Sequence, residues 1–371
     1  MLEQGRSSMQ KMYSMAILFG LVMVLMVPNS VPAGTEDENV LSLSILIQES
    51  LKKNPRIQAA KAGWEAQKAR IGQVSVLDDP ELGFDTWNIP SDLDFSETRN
   101  WIFFLRQRFP FPRTLSLRGE AARAESLQAG ESYEAMVREV IAQVKVAYAD
   151  LYLAHKAIGV AQENVEILRR FEQIAQVKYA TGAVSQQDVL KAQVELARVA
   201  NDLITLEQEL TTARARLNTL LNRTPRSPLG QPDELEIFNL PENLESLETL
   251  ALKHRPELKA TQAAISRSRH EIDLAKKKYY PDFHVTVKRF QNQGIPQPNG
   301  WGISASINIP WLFHRKHDEH LVETRYRLAQ QEALRETLER NTQFSVEDFM
   351  VKITTAERLA RVYQTSVLPQ A

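Results

Sequence analysis

The chain contains no cysteine in its 371 residues. That excludes disulfides as a source of stability, a thiol as a nucleophile, and a lipid carried on a cysteine behind a leader. Glycine is scarce at 14 residues, and 46 acidic residues nearly cancel 45 basic ones. The first shortage leaves few breaks for helices. The second leaves no global field of the kind that draws a protein to nucleic acid. Long apolar runs are also missing. Met15 to Val27 is apolar for thirteen residues, against the roughly 20 that a membrane-spanning helix needs. Insertion into a bilayer would therefore have to use strands, since only helices and closed barrels satisfy the backbone inside lipid.

That apolar run has the surroundings of an export leader. Arg6 and Lys11 precede it, Pro28 breaks it, and Val31, Pro32 and Ala33 supply small residues suited to cleavage, so residues 1–33 are read as a signal peptide. Signs of catalysis are absent from the remainder of the chain. There is no HExxH, no phosphate-cradling GxxxxGK[ST], and none of the seven histidines has a glutamate three residues before it. The chain is read as a non-enzyme without a cofactor. His314, His317 and His320 share roughly one side of a helix and form the one local cluster able to attract zinc, copper or nickel. Arg315, Lys316, Asp318 and Glu319 surround them, as in an ordinary solvated helix start, and no metal site is assigned.

What is present is a sequence that repeats itself. Ser42–Phe109 is echoed by Leu247–Ile309: Pro55 answers Pro256, Pro80 answers Pro281, Trp101 answers Trp301 and Pro110 answers Pro310. Each copy reads as a helix led by a proline, two strand-like runs around a polar loop, and a further long helix. The interior is rich in Ala, Leu, Glu, Gln, Lys and Arg, so most of the chain should be helical.

Two helical seams are explicit. Val137, Val140, Val144, Ala147, Leu151, Ala154, Ile158, Ala161, Val165 and Leu168 recur at spacings of three and four, and Glu172 interrupts them. Val189, Ala192, Leu196, Val199, Leu203, Leu206, Leu210, Ala213, Leu217 and Leu220 do the same without a break. Such seams predict an antiparallel coiled coil. Its first helix, from about Ser116 to Tyr179, would be about 95 Å long. The second, from about Ser185 to Asn222, is too short to match it, and a proline-led helix over about Arg56 to Leu77 could complete it end to end. Gly182 suits the left-handed residue that closes a helix, and Ser185 with Asp188 forms a capping-box pattern.

Four runs alternate apolar and polar residues. Leu82, Phe84 and Thr86 share one face, as do Trp101, Phe103, Leu105 and Phe109; Phe283, Val285 and Val287; and Trp301, Ile303, Ala305, Ile307 and Ile309. Runs of this length with aromatics near their ends fit strands of a transmembrane barrel. Leu82, Phe84, Trp101, Phe103, Leu105, Phe283, Val285, Val287, Trp301, Ile303, Ile307 and Ile309 are the expected lipid-facing residues. Two hairpins cannot close a barrel, so other copies of the chain must pair their edges. Ile307→Arg is expected to disturb insertion if the face meets lipid, and to do little otherwise.

The run Leu51–Asn54, Pro55, Ala59, Ala69, Arg70, Asp79, Pro80 and Leu82 resembles the TolC-like outer membrane efflux proteins. Tyr179, Gly182, Ser185, Asp188, Val189, Leu190, Ala192 and Leu196 carry the same resemblance, which extends from Ser42 onward. It implies a homotrimer in which each subunit gives four strands to an outer-membrane barrel continued by helices across the periplasm. It also implies that Tyr179, Thr181, Gly182, Ala183, Val184, Ser185 and Asp188 lie at a periplasmic tip that meets an adaptor protein, itself joined to an inner-membrane pump. Trp87–Pro90 and Arg106–Arg108 are similar to the heavy-metal branch, whose pumps are proton-driven exchangers. The expected organisation is a leader over 1–33, a first ascending segment over 34–78, a hairpin over 79–112, a long helical hairpin over 113–224 and a linker over 225–244. Next come a second ascending segment over 245–280, a second hairpin over 281–312 and a long helix over 313–371. By the internal repeat a second tip and returning helix are missing, and the chain reads as C-terminally truncated. A passive export duct is the leading reading; a periplasmic coiled-coil scaffold without a channel is the alternative.

Overall fold

The computed structural model describes residues 41–86, 100–235, 243–292 and 299–370; the leader expected over 1–33 and the Trp87–Pro90 stretch lie outside them. One element order runs twice. Helix α1 (Leu43–Lys53) stops one residue short of α2 (Pro55–Val74), which leads into strands β1 (Glu81–Thr86) and β2 (Asn100–Phe109) and then helix α3 (Thr114–Ala180). Helix α4 (Gln186–Leu220) returns along α3. The second pass comprises α5 (Leu244–His254), α6 (Pro256–Lys277), β3 (Phe283–Asn292), β4 (Gly300–Ile307), a 3-10 turn at Pro310–Phe313 and α7 (His314–Val362). In both passes one extended residue, Asn54 (ψ 122°) or Arg255 (ψ 117°), separates the short helix from a proline at the first helical position. Proline forces this: it disfavours helical ψ in the residue before it and is itself welcome at a helix start. Helical periodicity points only to the proline-led helices. The short α1 and α5 are additional.

At 67 residues α3 is about 100 Å long, and its seam has to be covered along that length. From Val140 to Val165 the expected seam is buried except for the half-buried Ile158, and on α4 each seam position from Val189 to Leu220 is buried or half-buried. Glu172, which interrupts the first seam, accepts a hydrogen bond across the hairpin from Gln193 Nε2 at 3.1 Å. Where α4 ends, α2 takes over. Asn54 makes the joint: its Oδ1 accepts from the Arg56 amide at 2.9 Å and caps α2, while its Nδ2 donates to the Leu220 carbonyl at 2.8 Å. One buried side chain thus serves the start of one helix and the end of another.

The core lies around this joint. Leu46, Ile57, Val140, Val144, Tyr148, Leu151, Leu217 and Leu221 pack together from α1, α2, α3 and the end of α4. Tyr148 is almost wholly buried, and its hydroxyl donates within 2.8 Å of the Leu41 carbonyl and 3.1 Å of that of Asp233. Those two contacts fix the segments flanking the core, which meet in a parallel bridge between Leu41 and Pro232. Arg223 adds a two-pronged clamp on Glu49, with Nε to Oε1 at 3.0 Å.

The two hairpins are one sheet. Beyond the expected pairs β1–β2 and β3–β4, strands β2 and β3 pair antiparallel over ten residues, from Asn100↔Asn292 to Phe109↔Phe283. The order is β1-β2-β3-β4, so only β1 and β4 are edges among the described strands. Local sequence pattern sees turns but not this pairing, which joins residues nearly two hundred apart.

Leu217→Ala, at a fully buried position of the joint, should lower stability by about 2–5 kcal/mol in urea denaturation monitored by circular dichroism. The Arg223 hydrogen bond, helped by Lys53, holds the Glu49 carboxyl below its ordinary range against the opposing effect of burial. Its contribution is therefore complete above the unfolded carboxylate pKa and is lost as pH falls through the depressed folded value. Glu49→Gln should be less stable than wild type at pH 7, with the difference shrinking on acidification below about pH 4.

Candidate membrane face and helical tip

Antiparallel partners point to the same side of a sheet, so the register sorts every side chain. Leu82, Phe84, Trp101, Phe103, Leu105, Phe109, Phe283, Val285, Val287, Trp301, Ile303, Ala305 and Ile307 fall on one face. It is open: Leu82 is 81% exposed, Ile303 78% and Trp301 73%. Of the expected residues only Ile309 lies beyond a strand, as β4 ends at Ile307. The register also moves the most informative position. Ile307 stands opposite Phe283 in the row nearest the helices, whereas Ile303 stands in the middle row with Val287, Leu105 and Leu82.

This face has the dimensions and the borders of a bilayer span. Ten residues at about 3.4 Å, tilted by about 45°, rise about 24 Å, close to the apolar band of an outer-membrane barrel. Near the helices it ends at the exposed Phe109 and Phe283, and at the far end at Trp101 and Trp301. Arg289 is the charged exception on the apolar side, and its guanidinium lies 5.3 Å from the centre of the Trp301 ring at that far border.

The other face is mainly polar, with Ile102, Phe104 and Phe290 as its apolar members. Glu81, Asp85, Arg106, Arg108, His284, Thr286, Lys288, Ser304 and Ser306 alternate with the apolar set, and Arg106 pairs with Glu81 at 3.2 Å. Phe104 lies here over Gly83, where a Cβ would come within 2.5 Å of the ring. At the junction with the helices Asp282 is the organising group. It accepts from Arg108 Nη2 at 2.6 Å and from the Phe111 amide at 2.9 Å, and its own amide donates to Asn308 Oδ1. Sequence reading misses this junction, because its partners come from both copies of the repeat.

The far end of the α3–α4 hairpin is a compact, exposed turn. Gly182 has φ 75°, its amide donates to the Tyr179 carbonyl at 2.9 Å, and the Ala183 amide donates to that of Lys178 at 2.8 Å. That is a Schellman closure with glycine in the left-handed position. Ser185 and Asp188 then form a complete capping box. Hydrogen bonds from the Ser185 hydroxyl and amide hold the Asp188 carboxyl below its usual range, so the tip carries a firm negative charge at the positive end of α4. Thr181, Gly182, Ala183 and Ser185 are exposed; Val184 is half-buried.

His314, His317 and His320 lie on the first turns of α7, and no group of three or more potential ligands is gathered for a metal among the described residues. His320 Nδ1 is 3.1 Å from Glu323, while His317 rests against the Tyr279 ring. Burial and the nearby Lys316 and Lys278 push the His317 imidazole below its ordinary pKa. No helix among the described residues is long and apolar enough to cross a membrane.

The profile of the outer membrane efflux protein family matches residues 46–223. Protein CyaE of Bordetella pertussis is 27% identical over 301 residues, covering 74% of this chain and 62% of the relative. Cobalt-zinc-cadmium resistance protein CzcC of Cupriavidus metallidurans is 24% identical over 250 residues, covering 67% and 58%. The chain thus spans about three fifths of the length of these relatives. The outer membrane protein VceC of Vibrio cholerae shares the fold, with a TM-score of 0.72 at 16% identity over 88% of this chain and 82% of that one.

Ser185→Ala should remove the cap and cost about 1 kcal/mol locally. Hydrogen exchange should then accelerate at the amides of residues 186–189 while the rest of α4 stays protected.

Proposed function

We propose that the chain, whose residues 46–223 match the profile of the outer membrane efflux protein family, is a wall subunit of a passive export duct that lies in the outer membrane and extends into the periplasm. One observation carries the reading: a four-stranded sheet with an exposed apolar face, a mainly polar opposite face and, among the described strands, two unpaired edges. In water such a sheet would be an aggregation site. In a bilayer it becomes stable once the edge β1 of one copy meets the edge β4 of the next. Three copies would close a twelve-stranded barrel, lipid outside and the polar face lining the bore, with α3 and α4 continuing the wall into the periplasm.

The tip from Tyr179 to Asp188 is the proposed meeting place for a periplasmic adaptor, which would link the duct to a proton-driven inner-membrane exchanger. Its exposed backbone and fixed Asp188 charge suit a polar, helical partner. A duct of this kind selects cargo mainly through the pump that docks on it. Metal ions are the favoured class, supported by the likeness to a cobalt-zinc-cadmium resistance protein, and drugs or other small molecules fit the same wall. The scaffold alternative leaves Leu82, Ile303 and Trp301 in water, and for that reason is the weaker reading.

Ile303→Arg places a charge in the middle row of the apolar face and should destabilise the inserted form by about 2–4 kcal/mol, against about 0–1 kcal/mol for the same change near a border. The measurement is outer-membrane fractionation and trimer yield in mild detergent, with conductance of the wild type in planar bilayers. A wild-type product that is monomeric in plain buffer and silent in bilayers would overturn the duct.

A further inference from the structure

Where α3, α6 and α7 meet the polar face of the sheet there is a cavity of about 420 Å³. Its charge is one-sided. Arg108, Arg118, Lys277, Lys278 and Arg327 line it against two carboxylates, and both are already engaged: Asp282 holds Arg108, and Glu271 pairs with Arg267 at 3.3 Å. Arg327 has Glu323 at 2.6 Å, and the Lys277 ammonium lies over the Phe111 and Tyr280 rings. Arg118 and Lys278 are left. Neither side chain forms a hydrogen bond or ion pair among the described residues, although Arg118 is half-buried; Arg118 feels Asp282 and Lys278 feels Glu323 only at longer range.

Five cationic side chains lining one cavity against two carboxylates leave a local excess of positive charge, which favours the arrival of an anion. The guanidinium of Arg118 presents a flat fork of donors and the Lys278 ammonium a point charge, the combination that suits a tetrahedral oxoanion. His317 and His320, two of the three histidines that suggested a metal, line the same cavity; Lys316 and Lys278 beside His317 disfavour a cation there, and His320 is already held against Glu323. The first copy of the repeat has no counterpart, for Val76, Leu77 and Asp79 stand where Lys277, Lys278 and Tyr280 stand in the second.

We propose that this cavity binds a phosphate-class oxoanion, with Arg118 and Lys278 as its direct ligands and Arg108 and Arg327 as the supporting charges. The site lies within one chain and does not depend on the duct reading. If that reading also holds, the anion would sit at the rim of the bore, where the polar face of the sheet runs into the helices. A free phosphate and the headgroup of an anionic phospholipid present the same chemistry. The side on which Arg108 stands favours the free solute.

The test is titration calorimetry on the purified full chain in neutral detergent at constant ionic strength, with inorganic phosphate as one probe and phosphatidylglycerol in mixed micelles as the other. Saturable binding of phosphate is expected, weakened about ten- to a hundredfold by Arg118→Gln with Lys278→Gln and unchanged by Lys276→Gln, which removes a surface charge already paired with Asp273. Phosphatidylglycerol binding with the same loss in the double variant would identify a headgroup as the source and uphold the site. No saturable binding of either probe, or binding unaltered in the double variant, overturns it. If the double variant fails to fold by circular dichroism, Lys278→Gln alone, at an exposed position, decides between the same outcomes.

Discussion

A single helix of 67 residues is the constraint to which the rest of this structure answers. Its apolar seam cannot be left in water along about 100 Å, and no other helix among the described residues is long enough to cover it. The solution is a composite partner, α4 for the far part and α2 for the near part, spliced at Asn54. A splice between two helix ends normally exposes unpaired amides on one side and unpaired carbonyls on the other. Asn54 suits the place because its amide side chain both accepts and donates. Aspartate could cap α2 but could not donate to Leu220, and serine lacks the reach to serve both. The core around Tyr148 and Leu217 gathers at this splice because four chain segments have to meet there.

The range of each interaction decides how much of it can be seen in the sequence. The seams of α3 and α4, the left-handed Gly182 and the Ser185–Asp188 box are local, set by residues at most a few positions apart, and the structure has them where the pattern puts them. The alternation in β1 to β4 is local too, so the apolar face can be drawn residue by residue. Pairing is not local. The β2–β3 ladder, the Asn54–Leu220 contact and the Arg108–Asp282 junction all join residues more than 160 positions apart, and nothing in either partner's neighbourhood announces the other. Ile307 shows the consequence. Its face is legible from alternation, but its depth depends on register, which places it beside the helices and leaves the middle row to Ile303.

Duplication explains why the two halves share a backbone and differ in chemistry. Proline at the start of α2 and α6 and a long helix after each hairpin recur because they are needed to build the unit at all. Side chains at the joints are free to diverge. Asn54 becomes Arg255, which makes no cap and instead donates to Thr342 Oγ1 at 2.8 Å on α7. The stripe Val140, Val144, Ala147, Tyr148 and Leu151 is echoed on α7 by Thr342, Val346, Phe349, Met350 and Ile353, all of which line a groove shared with α3, α5 and α6. In the first half α4 fills the equivalent place; among the described residues no helix fills the second.

In the proposed duct the sheet has to satisfy two solvents at once, and strand alternation is what allows it. Every apolar residue on one face obliges its neighbours to stand on the other, so the composition of the polar face is tied to that of the apolar one. Arginines and lysines at 106, 108 and 288 stand there because their neighbours Leu105, Gln107, Phe109 and Val287 do not. The charge they bring is partly neutralised by Glu81 and Asp282, and what remains accumulates toward the helix junction, where Arg118, Lys277, Lys278 and Arg327 add to it. A chain whose charges balance overall therefore carries a local excess of one sign at one level of the fold. Net charge near zero describes solubility and partners in bulk; the local electrostatics at the helix junction are set by which side chains the register and the duplication bring together.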